Sequence, residues 1–188
     1  MTRLLDTPST TPRTGPAGEL HPRPAVLLGS QVLFNVGFFA VVPFLAGVLR
    51  DDFALAGSAV GLILGLRTAA QQGMFLFGGA LADRFGARSL ILAGCTVRVT
   101  GFSLLAWSTL STAEGSRLAL FIVATVLTGL GGALFSPALE ALVARADATA
   151  QADAAAHRPR TTLFALLAVC GETGAALGPL LGALLLGW

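Results

Sequence analysis

Four charged side chains interrupt long apolar stretches of this sequence, and their types and positions suit them to chemistry. They are Arg67, Arg98, Glu140 and Glu172. A charge near mid-membrane costs at least about 2.5 kcal/mol, so such a residue faces a partner or water and indicates a pathway for protons or substrate. At about 1.5 Å per helical residue, Arg67, Arg98 and Glu172 fall near the middle of their stretches, and Glu140 falls near the end of its own.

Two of these residues form our main candidate for a substrate and proton pathway. Arg67 and Glu172 share a depth, and Gln71 lies one helical turn from Arg67 on the same face. A carboxyl group near mid-membrane changes its protonation when its partner changes, which is what proton exchange requires. An Arg–Glu pair can equally be a structural bridge, and the residues alone leave both interpretations open.

Five apolar stretches must position these charges. They cover residues 25–49, 58–82, 89–110, 118–144 and 162–188. Each exceeds the roughly 20 residues that a helix needs to cross a hydrocarbon core of about 30 Å. Strands of a membrane barrel would instead alternate apolar and polar residues over about ten positions. We therefore expect an all-α membrane protein with five transmembrane helices, which 54% hydrophobic and 12% charged residues also favour.

Residues 1–24 differ from the rest of the chain. They hold five of the nine prolines and three arginines, a composition typical of a flexible tail. The apolar stretch that follows is too long for a signal peptide, so we expect the tail to be retained. The sequence thus predicts two regions, a tail over residues 1–24 and a helical bundle over residues 25–188.

Arginines are distributed unequally between the two ends of the predicted helices. The eight on the side of the tail are Arg3, Arg13, Arg23, Arg84, Arg88, Arg145, Arg158 and Arg160. Only Arg50 and Arg117 fall on the opposite side. Since positively charged loops stay in the cytoplasm, we expect a multi-pass protein of the cell membrane with a cytoplasmic amino terminus.

The turn between the second and third stretches carries the most specific motif. Residues 79–91 read GALADRFGARSLI. This resembles the loop between the second and third helices of major facilitator superfamily transporters, whose pattern is G-x-L-A-D-R-x-G-R-K-x-x-L. Ala87 stands where the family has a basic residue, so Arg88 carries that charge alone. The resemblance implies that the five helices belong to an amino-terminal bundle of six.

In that family, charges in this loop latch one conformation and release it in another. The resemblance implies a cytoplasmic latch with these members: Gly79, Asp83, Arg84, Gly86, Arg88 and Glu140. A solvated loop with an unrelated Glu140 is the alternative.

A second resemblance lies in the fifth stretch. Residues 174–183 read GAALGPLLGA, which is similar to the drug:proton antiporter pattern g-x3-G-P-x2-G-G. Independently of any family, spacing of four places Gly174, Gly178 and Gly182 on one helix face, where another backbone can approach closely. Pro179 lacks a backbone N–H, so it removes one helical hydrogen bond and makes the helix easier to bend there. Ordinary tight packing and a role at a moving interface both fit this pattern.

The resemblance implies a proton-coupled transporter that exports drugs or small metabolites. Asn35, Phe38 and Phe39 of the first helix join Arg67, Gln71 and Glu172 as candidates for the pathway, although the three can equally be core residues. Within this fold Arg98 is expected to brace neighbouring helices.

The expected partners are the lipid bilayer, a small-molecule substrate, protons and a carboxy-terminal half of the transporter. We expect no nucleic acid, cofactor or metal. No catalytic residues are assigned, because no histidine, serine or carboxylate constellation has catalytic spacing, so an enzyme is not expected.

Complete transporters of this family have two six-helix halves with the substrate between them. The sequence stops at Trp188, inside the fifth stretch. Besides the amino-terminal part of an efflux transporter, a truncated or split-transporter subunit is an alternative. Such a subunit would act as a membrane interaction protein without transport activity of its own.

Overall fold

The computed structural model describes residues 24–110, 114–153 and 163–187. In chain order the elements are α1 (Pro24–Val41), a 3₁₀ turn (Val42–Phe44), α2 (Leu45–Asp51), α3 (Gly57–Phe85), α4 (Ala87–Leu110), α5 (Glu114–Asp153) and α6 (Leu163–Leu186). Within these ranges there is no strand, and 5 helical segments are long and apolar enough to cross a membrane. The expected all-α membrane architecture is confirmed. Apart from Pro24, which begins α1, the expected tail lies outside the described residues.

The first membrane span is interrupted at a proline. Pro43 lies in the 3₁₀ turn that separates α1 from α2, and a proline has no backbone N–H to continue a helical ladder. The two helices nevertheless form one candidate span, Pro24–Asp51. By contrast, α5 continues through Pro137 and α6 continues through Pro179.

A single glycine joins α3 to α4. Gly86 has φ +83°, a backbone conformation that residues with a side chain rarely adopt. Its backbone N–H donates a hydrogen bond to the carbonyl of Ala82 at 2.9 Å. Helix α4 then begins at Ala87. This is the tight turn between antiparallel helices that the charged motif predicts.

Helix α5 is the centre of the bundle. It packs against α3 and α4, whereas α1 packs mainly against α6. Small residues bring α4 and α5 together: a Cβ added to Gly94 would lie 2.8 Å from the carbonyl oxygen of Gly131. The pair formed by α1 and α6 touches α5 less extensively, and a cleft remains between them.

Candidate functional site

A cavity of about 350 Å³ lies between α1, α5 and α6. Two carboxylates line it, Glu140 from α5 and Glu172 from α6, and two amides from α1 face them, Gln31 and Asn35. The remaining wall is Phe39, Phe164, Leu167, Ala168, Gly171 and Ala175. The cavity is therefore apolar, with four polar groups drawn from three helices.

Asn35 is fixed in this wall by a contact across the bundle. Its Nδ2 donates a hydrogen bond to the carbonyl of Gly171 in α6 at 3.0 Å. Asn35 and Glu172 were both expected along a pathway, and the structure brings them to one cavity. Phe39, expected with Asn35 on a substrate path, also lines the cavity. Gln31 is a lining residue that the sequence did not indicate, and its spacing of four from Asn35 on α1 is the signal that would have found it.

The structure places Glu140 beside Glu172 rather than in contact with the loop. Asp83, Arg84 and Arg88 are exposed, and in the part of the chain that the structure describes no ion pair or hydrogen bond joins them to Glu140. The position of Glu140 near the end of its stretch puts it at the depth of the loop, but depth does not determine which neighbour a side chain faces. The latch, including Gly79 and Gly86, stays a prediction.

Arg67 and Glu172 are not paired among the described residues. Arg67 is 7% exposed, donates from Nη2 to Oε1 of Gln71 at 3.3 Å and lies 4.6 Å from the ring centre of Phe38. The contacts explain the separation, because α3 packs on α5 whereas α6 packs on α1. The structure thus brings together the expected residues Arg67, Gln71 and Phe38 on a face of α1 next to the cavity, since the ring centres of Phe38 and cavity-lining Phe39 are 5.0 Å apart.

Arg98 contacts partners on two helices, which the sequence alone did not identify. Its guanidinium donates to the carbonyls of Phe34 at 3.4 Å and Thr128 at 3.3 Å, and its Cζ lies 3.6 Å from the ring centre of Phe34. Arg98 of α4 is therefore attached to α1 and to α5, which is the bracing position expected for it. Phe34 itself stacks on Phe135 with ring centres 3.7 Å apart.

The three glycines of α6 all face α1. A Cβ added to Gly174 would lie 2.6 Å from the Cβ of Asn35, and one added to Gly178 would lie 2.5 Å from the Cβ of Phe39. At Gly182 the added atom would collide with the carbonyl oxygen of Ala40. The two backbones thus approach closely along the stripe, next to half-buried Pro179.

This helical architecture can be compared with known proteins. The family model of the Major Facilitator Superfamily matches residues 27–188, nearly all of the chain. The chain belongs to this superfamily. Its members are transporters. We therefore interpret the cavity and the buried Arg67 and Arg98 as features of a membrane transporter family. No solved structure matches the chain significantly.

Several relatives are similar along most of the chain. An uncharacterized MFS-type transporter of Mycobacterium tuberculosis is 41% identical over 161 residues, which cover 86% of this chain and 35% of the relative. Multidrug resistance protein MdtH of Aeromonas hydrophila is 40% identical over 156 residues, 83% of this chain and 36% of that protein. MdtH of Yersinia pestis is 38% identical over 162 residues, 85% of this chain and 36% of that protein. The chain therefore spans about a third of the length of these superfamily members.

Proposed function

We propose that this chain is the amino-terminal part of a secondary transporter that exports drugs or small metabolites in exchange for protons. The observation that carries the proposal is the cavity between α1, α5 and α6, in which Glu140 and Glu172 face Gln31 and Asn35 in an apolar wall. Pockets that hold small molecules have this character, with much apolar surface and a few polar groups that orient the ligand. The relatives named multidrug resistance proteins support the class of substrate.

Proton coupling is assigned to the carboxylates of the cavity. Glu172 and Glu140 line the same space, so a proton and a polar or cationic group of the substrate would compete for the same negative charge. Release of the proton when the substrate binds, and of the substrate when a proton binds, would constitute an exchange. None of the described residues lining this cavity carries a guanidinium, so protonation is the means by which these carboxylates would be neutralised by that part of the chain.

The other expected residues complete the proposed pathway. Asn35 lies in the cavity wall, while Phe38, Arg67 and Gln71 lie at a neighbouring face of α1. In a complete transporter the carboxy-terminal half would supply the facing wall. We place this protein in the cell membrane with the amino terminus in the cytoplasm, where Asp83, Arg84 and Arg88 would contact different partners in different conformations.

The decisive experiment uses the full-length transporter reconstituted in liposomes. Glu172→Gln should abolish efflux driven by a proton gradient while substrate binding stays measurable, because the amide cannot exchange a proton. Asp52→Asn is the matched control, since Asp52 is exposed at the end of α2 and does not line the cavity. Proton-driven efflux that survives in Glu172→Gln with unchanged pH dependence would refute coupling through this residue, and Glu140→Gln would then test the second carboxylate.

A subunit without transport activity is the second candidate. The chain covers 35% of the length of its Mycobacterium tuberculosis relative, so its activity is compared with and without the part that it does not cover. Reconstitution of the 188-residue chain with and without a complementary carboxy-terminal half separates the two. Efflux that requires the second polypeptide indicates a split transporter, and binding to it without any efflux indicates an interaction protein.

A further inference from the structure

Arg67 and Arg98 form a second polar site, next to the cavity on a neighbouring face of α1. Phe38, which contacts both arginines, has its ring centre 5.0 Å from that of cavity-lining Phe39. The two arginines are 7% and 6% exposed, so both are buried. The Cζ atoms of both arginines lie 4.6 Å from the ring centre of Phe38. Two guanidinium groups from α3 and α4 therefore meet at one phenyl ring of α1, at the point where these helices converge on α5.

The charges of this pair are incompletely compensated. A guanidinium has five N–H donors. Arg67 uses one, to Gln71, and Arg98 uses two, to the carbonyls of Phe34 and Thr128, at 3.3–3.4 Å. These are longer than the usual charge-assisted hydrogen bond of about 2.8 Å. The Nε atom of each arginine is buried and has no hydrogen-bond partner among the residues that the structure describes.

Neither guanidinium has a carboxylate partner within the described ranges. Cation–π contacts with Phe34 and Phe38 and long hydrogen bonds offset only part of the cost of burying two like charges. The pair consequently has the electrostatic character of an anion site.

Glycines of α5 make room for the pair. A Cβ added to Gly132 would collide with Nη2 of Arg98 and lie 3.4 Å from Nε2 of Gln71. One added to Gly129 would lie 3.2 Å from Cγ of Arg67. The donor groups of Arg98 and Gln71 thus converge over Gly132, and Arg67 is hydrogen-bonded to the same Gln71.

We propose that Arg67 and Arg98 together bind the carboxylate of a small organic anion. A guanidinium presents a planar fork of donors that matches a carboxylate, and two guanidiniums with the nearby Gln71 amide offer more donors than one carboxylate can accept. Helices α1 and α3, which flank Arg67, are not packed extensively against each other. The site goes beyond the proposed proton exchange and does not depend on it, because binding is measured without transport.

The test is equilibrium dialysis of radiolabelled benzoate against the full-length protein in detergent, with benzamide as the uncharged competitor. The wild-type protein should bind benzoate saturably, with competition by unlabelled benzoate and none by benzamide. Affinity should fall about tenfold or more in Arg67→Gln and in Arg98→Gln, since each removes one fork of charged donors. Arg50→Gln is the control, because Arg50 is exposed at the end of α2.

Two further results keep the proposal falsifiable if an arginine variant unfolds. Gly132→Ala retains both arginines but fills the space over which their donors converge, so it should also weaken benzoate binding. Binding to the wild-type protein also tests the proposal without any variant. Absence of saturable benzoate binding, or equal competition by benzamide, would overturn the proposal. Absence of binding would indicate that a carboxylate of the protein neutralises the pair. Loss of efflux in Glu172→Gln leaves this result unaffected, so the failure of either proposal is recognised separately.

Discussion

Replacing Gly178 by alanine tests the close approach of α1 and α6. The new Cβ would lie 2.5 Å from the Cβ of Phe39, 2.8 Å from the carbonyl carbon of Phe39 and 2.9 Å from the amide nitrogen of Ala40. Two of these three atoms are backbone, so no rotation of a side chain removes the overlap. The helices must separate by roughly 1 Å, and overpacking of this kind costs about 1–3 kcal/mol.

Alanine also improves helix propensity over glycine by about 1 kcal/mol, which would partly mask that cost. Gly37→Ala is the matched control on α1, because an added Cβ at Gly37 meets no described atom within 4 Å. Gly37→Ala therefore gains helix propensity without a steric overlap between helices. The free energy of unfolding of Gly178→Ala should therefore be about 1–3 kcal/mol lower than that of Gly37→Ala.

Unfolding in mixed micelles of increasing SDS content, followed by far-ultraviolet circular dichroism, measures this difference. Gly182→Ala, whose Cβ would meet the carbonyl oxygen of Ala40, should behave like Gly178→Ala. If both variants are as stable as Gly37→Ala, the backbones of α1 and α6 do not approach as described, and the packing argument for the glycine stripe is wrong.

Two further predictions concern topology and the loop. In a background without Cys95 and Cys170, a cysteine at exposed Ala54 should react with an impermeant thiol reagent added outside the cell. A cysteine at exposed Ser89 should react with this reagent only after the membrane is permeabilised. The reverse labelling pattern would refute a cytoplasmic amino terminus. Ser89 is a better site than its neighbour Ala87, which is 6% exposed and would stay unreactive from either side. In the full-length transporter, Asp83→Asn should slow efflux more than it weakens substrate binding, because it removes a contact that differs between conformations. Wild-type efflux rates in that variant would contradict the latch.

The helices themselves were largely predictable from composition, and the deviations have physical reasons. The second stretch was expected over residues 58–82, and α3 extends to Phe85 because the charged turn continues the helix up to Gly86. The fourth was expected over residues 118–144, whereas α5 runs from Glu114 to Asp153. Its last part is rich in alanine, a strong helix former, so it continues beyond the apolar stretch.

Side-chain neighbours were less predictable. These helices are apolar on nearly all sides, so no hydrophobic stripe indicates which face packs inward. Sequence position gives the depth of Arg67 and Glu172 but not the angle at which each projects from its helix. Depth therefore grouped Arg67 with Glu172, and the structure instead places Arg67 near Arg98 and Glu172 near Glu140.

The pairing of α1 with α6 has a consequence for biogenesis. The chain is made from its amino terminus, yet the main packing partner of α1 is the last helix described. The hydrogen bond from Asn35 to Gly171 spans 136 residues. At about 5–20 residues per second, α1 waits on the order of 10 s for the helix that covers its polar face. During that interval the amide of Asn35 must be satisfied by water, lipid or the insertion machinery, so the wall of the cavity is completed only late in synthesis.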